Sequence, residues 1–387
     1  MPVRALARVN LAAIERNVAR LRSRLVDGTS LCAVVKADGY GHGAIEAARA
    51  ALTGGAVRLA VATAQEAAEL RAGGIGAPLL VMGALSAEEL PVAVKARAEV
   101  VAWSEQFVAD VAVAVADAAT RASSRGRPAG GSLGVHVKLD TGMGRLGTRD
   151  REEAQRVAEL VVRSEPLLAL AGAMTHFATA DEDPEFVALQ LGRFGPFVEA
   201  LRRLRPRVVA HAANSAATLT VSASHFDLVR CGIAIYGCDP MNDDPSTHAL
   251  EPALELSSYV AAVKRAAPGD SAGYGRRYIA SDETWIGTLP IGYADGIRRA
   301  LSGNCDVLIG GRRYPLVGTV SMDNVTIDLG PETTVGVGEQ ATIIGADGDK
   351  RQTAEDLARR IGTINYEIVT GVSARVPRAY HRDGATA

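Results

Sequence analysis

The chain has 387 residues, room for two or three domains of ordinary size. Hydrophobic residues make up 48% and charged residues 22%, a globular balance that excludes a disordered polymer. Lysine and arginine number 42 against 44 aspartates and glutamates, a net of −2, so no basic excess draws the chain to nucleic acid or to an anionic membrane.

The N-terminal stretch is interrupted by Arg4, Arg8, Glu15 and Arg16, unlike a signal peptide, and no apolar run reaches the ~18 residues of a membrane span. A soluble, cytoplasmic protein is expected. From about residue 30, short β-type runs alternate with helical patterns. The strands are expected at 31–35, 58–62, 79–82, 99–102, 134–140, 169–175, 208–211 and 227–236. Helical patterns fall between most of them, at 64–72, 86–96, 105–119, 151–163 and 184–204. Eight strands in βα alternation over some 200 residues give the count and length of an N-terminal (β/α)8 barrel of the TIM type. An open doubly wound sheet is the alternative, but no Gly-rich dinucleotide fingerprint follows the first strand.

After Gly237 the texture changes. Asp239, Pro240, Asn242, Asp243, Asp244 and Pro245 make a turn-rich linker. Short β-type segments follow at 254–263, 284–290, 307–309, 314–320, 324–328 and 340–344, with one helical pattern at 353–361. The chain is α/β in class, with a barrel domain over 1–240 and a mostly β domain over 241–387. Cys32, Cys231, Cys238 and Cys305 form no Cys-x-x-Cys pair. Neither a zinc ribbon, a redox dithiol nor a secreted disulfide scaffold is expected, and no metal is called for.

The candidate chemistry gathers at strand ends, where barrels of this kind carry active sites. Lys36 follows the first barrel strand in AVVKADGYGHG, whose glycines allow close approach of a ligand. An amine there is suited to a Schiff base with an aldehyde cofactor, or is simply a solvated lysine. The fifth strand ends in KLDTGMGRLG, the sixth in THFATAD, the seventh in HAANSAA and the eighth in VRCGIAIYG. Asn214 and Ser215, opening a short helix, with the amides of Gly232 and Ile233, suit a phosphate; on its own, Asn214–Ser215 is more often a plain helix cap. His211 reads as a satisfied core histidine.

These motifs, with SAGYGRRY, PIGYADG, GTVSMDN and TINYEIVTGVSARVPR, run in order from about residue 10 to 380 and together resemble the alanine racemase family. The resemblance implies a pyridoxal 5′-phosphate enzyme that interconverts L- and D-alanine, supplying D-alanine for peptidoglycan. It also implies a head-to-tail homodimer with shared active sites. By motif position, Lys36 would carry the cofactor and act as one base. Tyr40, Ser215, Gly232, Ile233 and Tyr366 would bind its phosphate, with Asn214 beside them. Arg230, held by His176, would face the pyridine nitrogen. Arg145 would bind the substrate carboxylate, oriented by Lys138, which is carbamylated in many relatives. From the partner chain would come Tyr274, as the second base, and Tyr293, Met322 and Asp323 near the substrate entrance. Ser321 stands where many relatives have cysteine.

Two bases match the chemistry, because inversion removes a Cα proton from one face and returns one to the other. Lysine and tyrosine both have reference pKa values of ~10, which nearby cations such as Arg230 and His176, or the cofactor itself, could lower. An arginine at the ring nitrogen, donor-only and always charged, keeps that nitrogen unprotonated. That disfavours side reactions and argues against an amino-acid decarboxylase. A racemase for serine or lysine remains an alternative. A non-catalytic relative would be expected to lack Lys36, Tyr274 or Arg145, and all three are present.

Overall fold

The computed structural model describes residues 3–124 and 131–386. By internal contacts the chain divides into two compact units. One holds Glu15–Gly39 and Ala44–Ile235; the other takes the residues up to Ile14, Tyr40–Gly43 and everything from Tyr236.

The first strand, β1 (Leu6–Asn10), precedes eight others: β2 (Ser30–Val34), β3 (Arg58–Val61), β4 (Leu79–Val81), β5 (Glu99–Ala102), β6 (Leu133–Lys138), β7 (Leu168–Met174), β8 (Val209–His211) and β9 (Leu228–Cys231). β2 to β9 form one parallel sheet in the order β8-β7-β6-β5-β4-β3-β2-β9. Its two ends meet. The Asp227 N–H donates to the Ala210 carbonyl at 3.1 Å and the Arg230 N–H to that of Ala213 at 2.9 Å. The expected barrel is present. Its strands are apolar runs with little alternation, as a sheet covered on both faces requires; Leu31 to Val34 of β2 are all buried.

The helices between strands start where side chains can satisfy the first free N–H groups. Thr63 and Glu66 form a reciprocal capping box for Ala64–Ala72, Ser104 caps Glu105–Ser123, and Asp150 caps Arg151–Arg163. Asp183, with Pro184 in the first turn, starts Pro184–Leu204. Two expected elements are shorter than the sequence pattern suggests. The helix expected from residue 86 begins at Leu90, beside Pro91. The last barrel strand ends at Cys231, after which Ile233–Tyr236 makes a single 3-10 turn.

The second unit is built on strands β10 (Leu254–Tyr259), β11 (Ala262–Ala266), β12 (Ser271–Ala272), β13 (Tyr278–Ile279), β14 (Thr284–Leu289), β15 (Asp306–Ile309), β16 (Arg312–Val317), β17 (Val325–Gly330), β18 (Gln340–Asp347), β19 (Lys350–Gln352), β20 (Arg378–Arg382) and β21 (Ala385–Thr386). Most belong to one sheet ordered β11-β14-β17-β16-β15-β18-β10-β1-β20-β21, with β19 on β18; β12 and β13 pair separately. β17 alternates buried and half-buried residues along its whole length, the pattern of a strand with one face on a core. The single run expected at 254–263 is two strands, β10 and β11, with different neighbours.

A linear cut at residue 240 does not describe the packing of two short segments. β1 pairs antiparallel with β10 and parallel with β20, so the N-terminus belongs to the β unit. Tyr40–Gly43 joins it as well. A Cβ on Gly41 would lie 2.3 Å from the Val369 carbonyl oxygen, and one on Gly43 would lie 1.9 Å from the Tyr380 hydroxyl. Both glycines have positive φ. At these two positions the missing Cβ leaves room for the chain itself.

Candidate active site

Lys36 lies just beyond β2 and opens a turn of unusual hand. Ala37, Asp38, Gly39 and Tyr40 all have φ between 51° and 61°. Left-handed backbone is costly for residues with a Cβ and persists only where surroundings fix it. Here the Glu66 carboxylate accepts the Ala37 N–H at 2.7 Å, Asp38 accepts the Ala44 N–H at 2.9 Å, and the Gly39 N–H donates to Val35 at 3.0 Å. Glu66 also accepts the N–H groups of Ala62 and Thr63. One carboxylate thus joins the end of β3 to the turn that carries Lys36.

The next strand ends supply cations. Lys138 ends β6 and is buried. The loop after it is wound round Asp140, which accepts the amides of Gly142 and Gly144 and the Arg149 Nε. Arg145 lies in this loop. Arg230 in β9 is buried, and its Nη2 lies 2.8 Å from the Thr175 carbonyl oxygen, 3.0 Å from His176 Nδ1 and 3.0 Å from the Ala212 carbonyl oxygen. His176 is thus one of three acceptors around this nitrogen.

These groups lie close enough to shift one another. Burial, and then Arg145, lowers the Lys36 ammonium below its ordinary range. Burial, then Arg230 and Arg145, brings Lys138 down to about 8. Burial, then Arg230, Arg145, Lys138 and Lys36, keeps His176 neutral far below the usual histidine range. The barrel unit therefore brings Lys36, Lys138, Arg145 and Arg230 into one cationic cluster around a neutral His176.

Asn214 is the helix cap: its Oδ1 accepts the Ala217 N–H at 3.0 Å. The buried Ser215 hydroxyl accepts the Gly232 N–H at 2.9 Å, so that amide is engaged within the protein. Ile233 is buried at the start of the 3-10 turn.

In the β unit, Tyr40 packs against Tyr236 and Tyr366, with ring centroids 5.2 and 6.1 Å away. Tyr274, Tyr293, Met322 and Asp323 form a second group. Tyr274 is 74% exposed, and its carbonyl accepts the Thr319 hydroxyl. The N–H of Tyr293 donates to Ser321 and that of Ala294 to Met322, at 2.9 and 3.0 Å. Gly292 permits this approach, because a Cβ there would lie 2.4 Å from both carbonyl oxygens. Buried Asp295 ties the region together by pairing with Arg4 and Arg375; Arg375 also pairs with Asp323.

Several contributors escaped the motifs. His211, read as a core histidine, places Nδ1 2.8 Å from Arg230. His136 and Glu99 continue that contact inward. A signal existed for His136: it lies two residues before Lys138 on one strand and so shares its face. The Thr63-x-x-Glu66 spacing likewise marks Glu66 as a cap, though nothing local shows its second task.

A parallel barrel with a lysine and a cationic cluster at its strand ends defines a TIM-barrel enzyme. Residues 9–240 match the family model described as alanine racemase, N-terminal domain, and residues 253–380 match alanine racemase, C-terminal domain. The alanine racemase of Geobacillus kaustophilus is 42% identical over 378 residues, covering 97% of this chain and 94% of its own. Among solved structures, the alanine racemase of the D-cycloserine producer Streptomyces lavendulae is similar with a TM-score of 0.90 at 36% identity, covering 98% of each chain. That of Bacillus anthracis, solved with bound L-Ala-P, has a TM-score of 0.87 at 36% identity, covering 99% of this chain and 96% of its own. The chain belongs to the alanine racemase family.

Proposed function

We propose that the protein interconverts L- and D-alanine with pyridoxal 5′-phosphate as its cofactor, supplying D-alanine for peptidoglycan. The observation that carries this reading is Lys36, an amine at a strand end made easier to deprotonate by burial and by Arg145, in a chain of this family. The donor set fits the cofactor. Lys36 offers an amine to its aldehyde, and Lys36, Lys138, Arg145 and Arg230 offer positive charge to its anionic groups. In the barrel unit, Ser215 and Ile233 would hold the phosphate. When bound, the cofactor supplies the electron sink that makes the substrate Cα–H acidic.

The chain's own residues do the rest. Lys36 Nζ moves the proton on one face of Cα, and the Tyr274 hydroxyl moves it on the other. Arg145 binds the substrate carboxylate. Lys138, with an ammonium pKa near 8, has enough free amine to take up carbon dioxide as a carbamate and so orient Arg145. Arg230, fixed by His176, would offer the ring nitrogen donors only.

Tyr274, Tyr293 and Met322 are among the exposed large side chains. In a head-to-tail homodimer these residues and Asp323 complete the site of a second copy of the chain. Cytoplasmic placement accords with the family; among the described residues no helix is long and apolar enough to cross a membrane. The test is a panel of single-enantiomer amino acids incubated with cofactor-loaded protein and followed by circular dichroism. Alanine loses its signal first; faster loss from serine or lysine would assign the protein to another substrate.

A further inference from the structure

The interior of a (β/α)8 barrel is ordinarily filled by layers of branched apolar side chains. Here one line through it is polar and continuous. Arg230 Nη1 lies 2.8 Å from His211 Nδ1, His211 Nε2 lies 2.7 Å from His136 Nδ1, and His136 Nε2 lies 2.7 Å from Glu99 Oε2. Arg58 pairs with the same carboxylate oxygen. The five residues come from β9, β8, β6, β5 and β3. Both imidazoles are fully buried.

The barrel makes room for this line. A Cβ on Gly172 of β7 would lie 2.0 Å from His136 Nδ1, and one on Gly134 of β6 would lie 2.8 Å from Glu99 Cγ. Neither glycine is needed for its backbone angle, as both have φ outside the left-handed region. Glycine inside a strand weakens it, so a close approach is what it provides. At its far end Glu99 lines a cleft of about 930 Å³, together with Lys95, Arg97 and Leu133.

The end groups dictate the position of every proton. Arginine only donates, so His211 Nδ1 must accept. A neutral His211 then carries its proton on Nε2 and donates it to His136 Nδ1. His136 in turn carries its proton on Nε2 and donates to Glu99, which as a carboxylate only accepts. Burial of both rings keeps them neutral, which this order requires. The reverse order would set an N–H of His211 against an N–H of Arg230.

We propose that Glu99 is a positioning residue for Arg230. Through His136 and His211 it holds both imidazoles in the Nε2–H form and so keeps a lone pair turned to the guanidinium. The consequence for the cofactor rests on the reading that Arg230 faces the pyridine nitrogen. Arg230 then meets the ring as a fixed cation whose nearest relayed counter-charge is Glu99.

The test uses cofactor-loaded protein with 15N-labelled histidine, its ring signals assigned by single His→Asn variants. Long-range proton–nitrogen correlation reads each tautomer. In the wild type, His136 and His211 are protonated on Nε2 alone. Glu99→Gln keeps an acceptor oxygen and preserves this pattern. Glu99→Ala removes the acceptor of the His136 Nε2–H, so an Nδ1-protonated form of His136 appears while Arg230 still makes His211 Nδ1 accept; the looser line shifts the visible absorption of bound pyridoxal phosphate and lowers kcat roughly tenfold, the scale of losing an outer hydrogen-bonding partner. A wild-type His211 protonated on Nδ1 would overturn the proposal without any variant, as would an unchanged His136 tautomer in Glu99→Ala. Altered tautomers with an unaltered cofactor spectrum would uphold the positioning role of Glu99 and refute instead the placement of Arg230 at the ring nitrogen.

Discussion

His176 and Arg230 meet through one contact, Nδ1 to Nη2 at 3.0 Å, and among the described residues no carboxylate pairs with this guanidinium. The arginine is held instead by imidazoles and main-chain carbonyls. A buried cation without an adjacent counter-ion is expensive unless its donors are satisfied. Here they are satisfied by acceptors that stay neutral, and that has consequences that can be measured.

One consequence is acid sensitivity. Burial, then Arg58 and Arg230, pushes His136 down to about 3, and burial, then Arg230, pushes His211 and His176 well below their ordinary values. The unfolded chain takes up protons near pH 6.5, whereas the folded chain does not until far lower. Stability is therefore full above about pH 6.5 and falls as the pH drops toward the folded values, by up to roughly 1.4 kcal/mol per pH unit for each histidine. Urea midpoints between pH 7.5 and 5 should show this decline, and His136→Gln should flatten it. A midpoint independent of pH over that range would contradict the buried, neutral assignment.

Lys138 should react with carbon dioxide. At pH 8 about half of an amine with a pKa near 8 is unprotonated. Incubation with 13C-bicarbonate should give a carbamate carbon resonance that Lys138→Arg lacks. A resonance that survives this substitution would place the carbamate elsewhere.

Glu66 should matter more than a helix cap. Glu66→Ala removes the acceptor of three main-chain N–H groups, including that of Ala37 beside Lys36. We expect a loss of roughly 2 kcal/mol in stability, within the range for bonds to a charged acceptor. The left-handed turn should loosen as well, so cofactor retention on dialysis should fall. Retention equal to wild type in a destabilised variant would confine Glu66 to capping.

Much of the barrel was legible because its strands are apolar runs and its helices begin at recognisable caps; the helices Ala64–Ala72, Arg151–Arg163 and Pro184–Leu204 occupy the spans expected. β1 was not legible. Its five residues gain their strand identity from β10 and β20, which lie more than 240 residues away in sequence. The rim residues Lys36, Lys138, Arg145 and Arg230 stand out in motifs. The line from His211 to Glu99 does not, since each member is a lone polar residue in a different strand and only closure of the barrel makes them neighbours.

Tyr274→Phe keeps the ring and removes the ionisable oxygen. Racemisation should fall in both directions, by roughly the 10²–10⁴ of a general acid–base group, while the bound-cofactor spectrum stays near normal. Mixing this variant with Lys36→Ala should restore part of the activity if the two bases come from different chains, because one site in each heterodimer then holds both. Verified subunit exchange without recovery would place both bases in the same chain.

The most direct measurement is incubation of L-alanine, and separately D-alanine, with cofactor-loaded protein in heavy water, followed by chiral separation and mass analysis. Enantiomers have equal free energy, so both reactions should end at equal amounts of the two forms, with inverted product carrying deuterium at Cα. Retention of configuration from both starting materials, or conversion of alanine to a keto acid without its mirror image, would contradict the account.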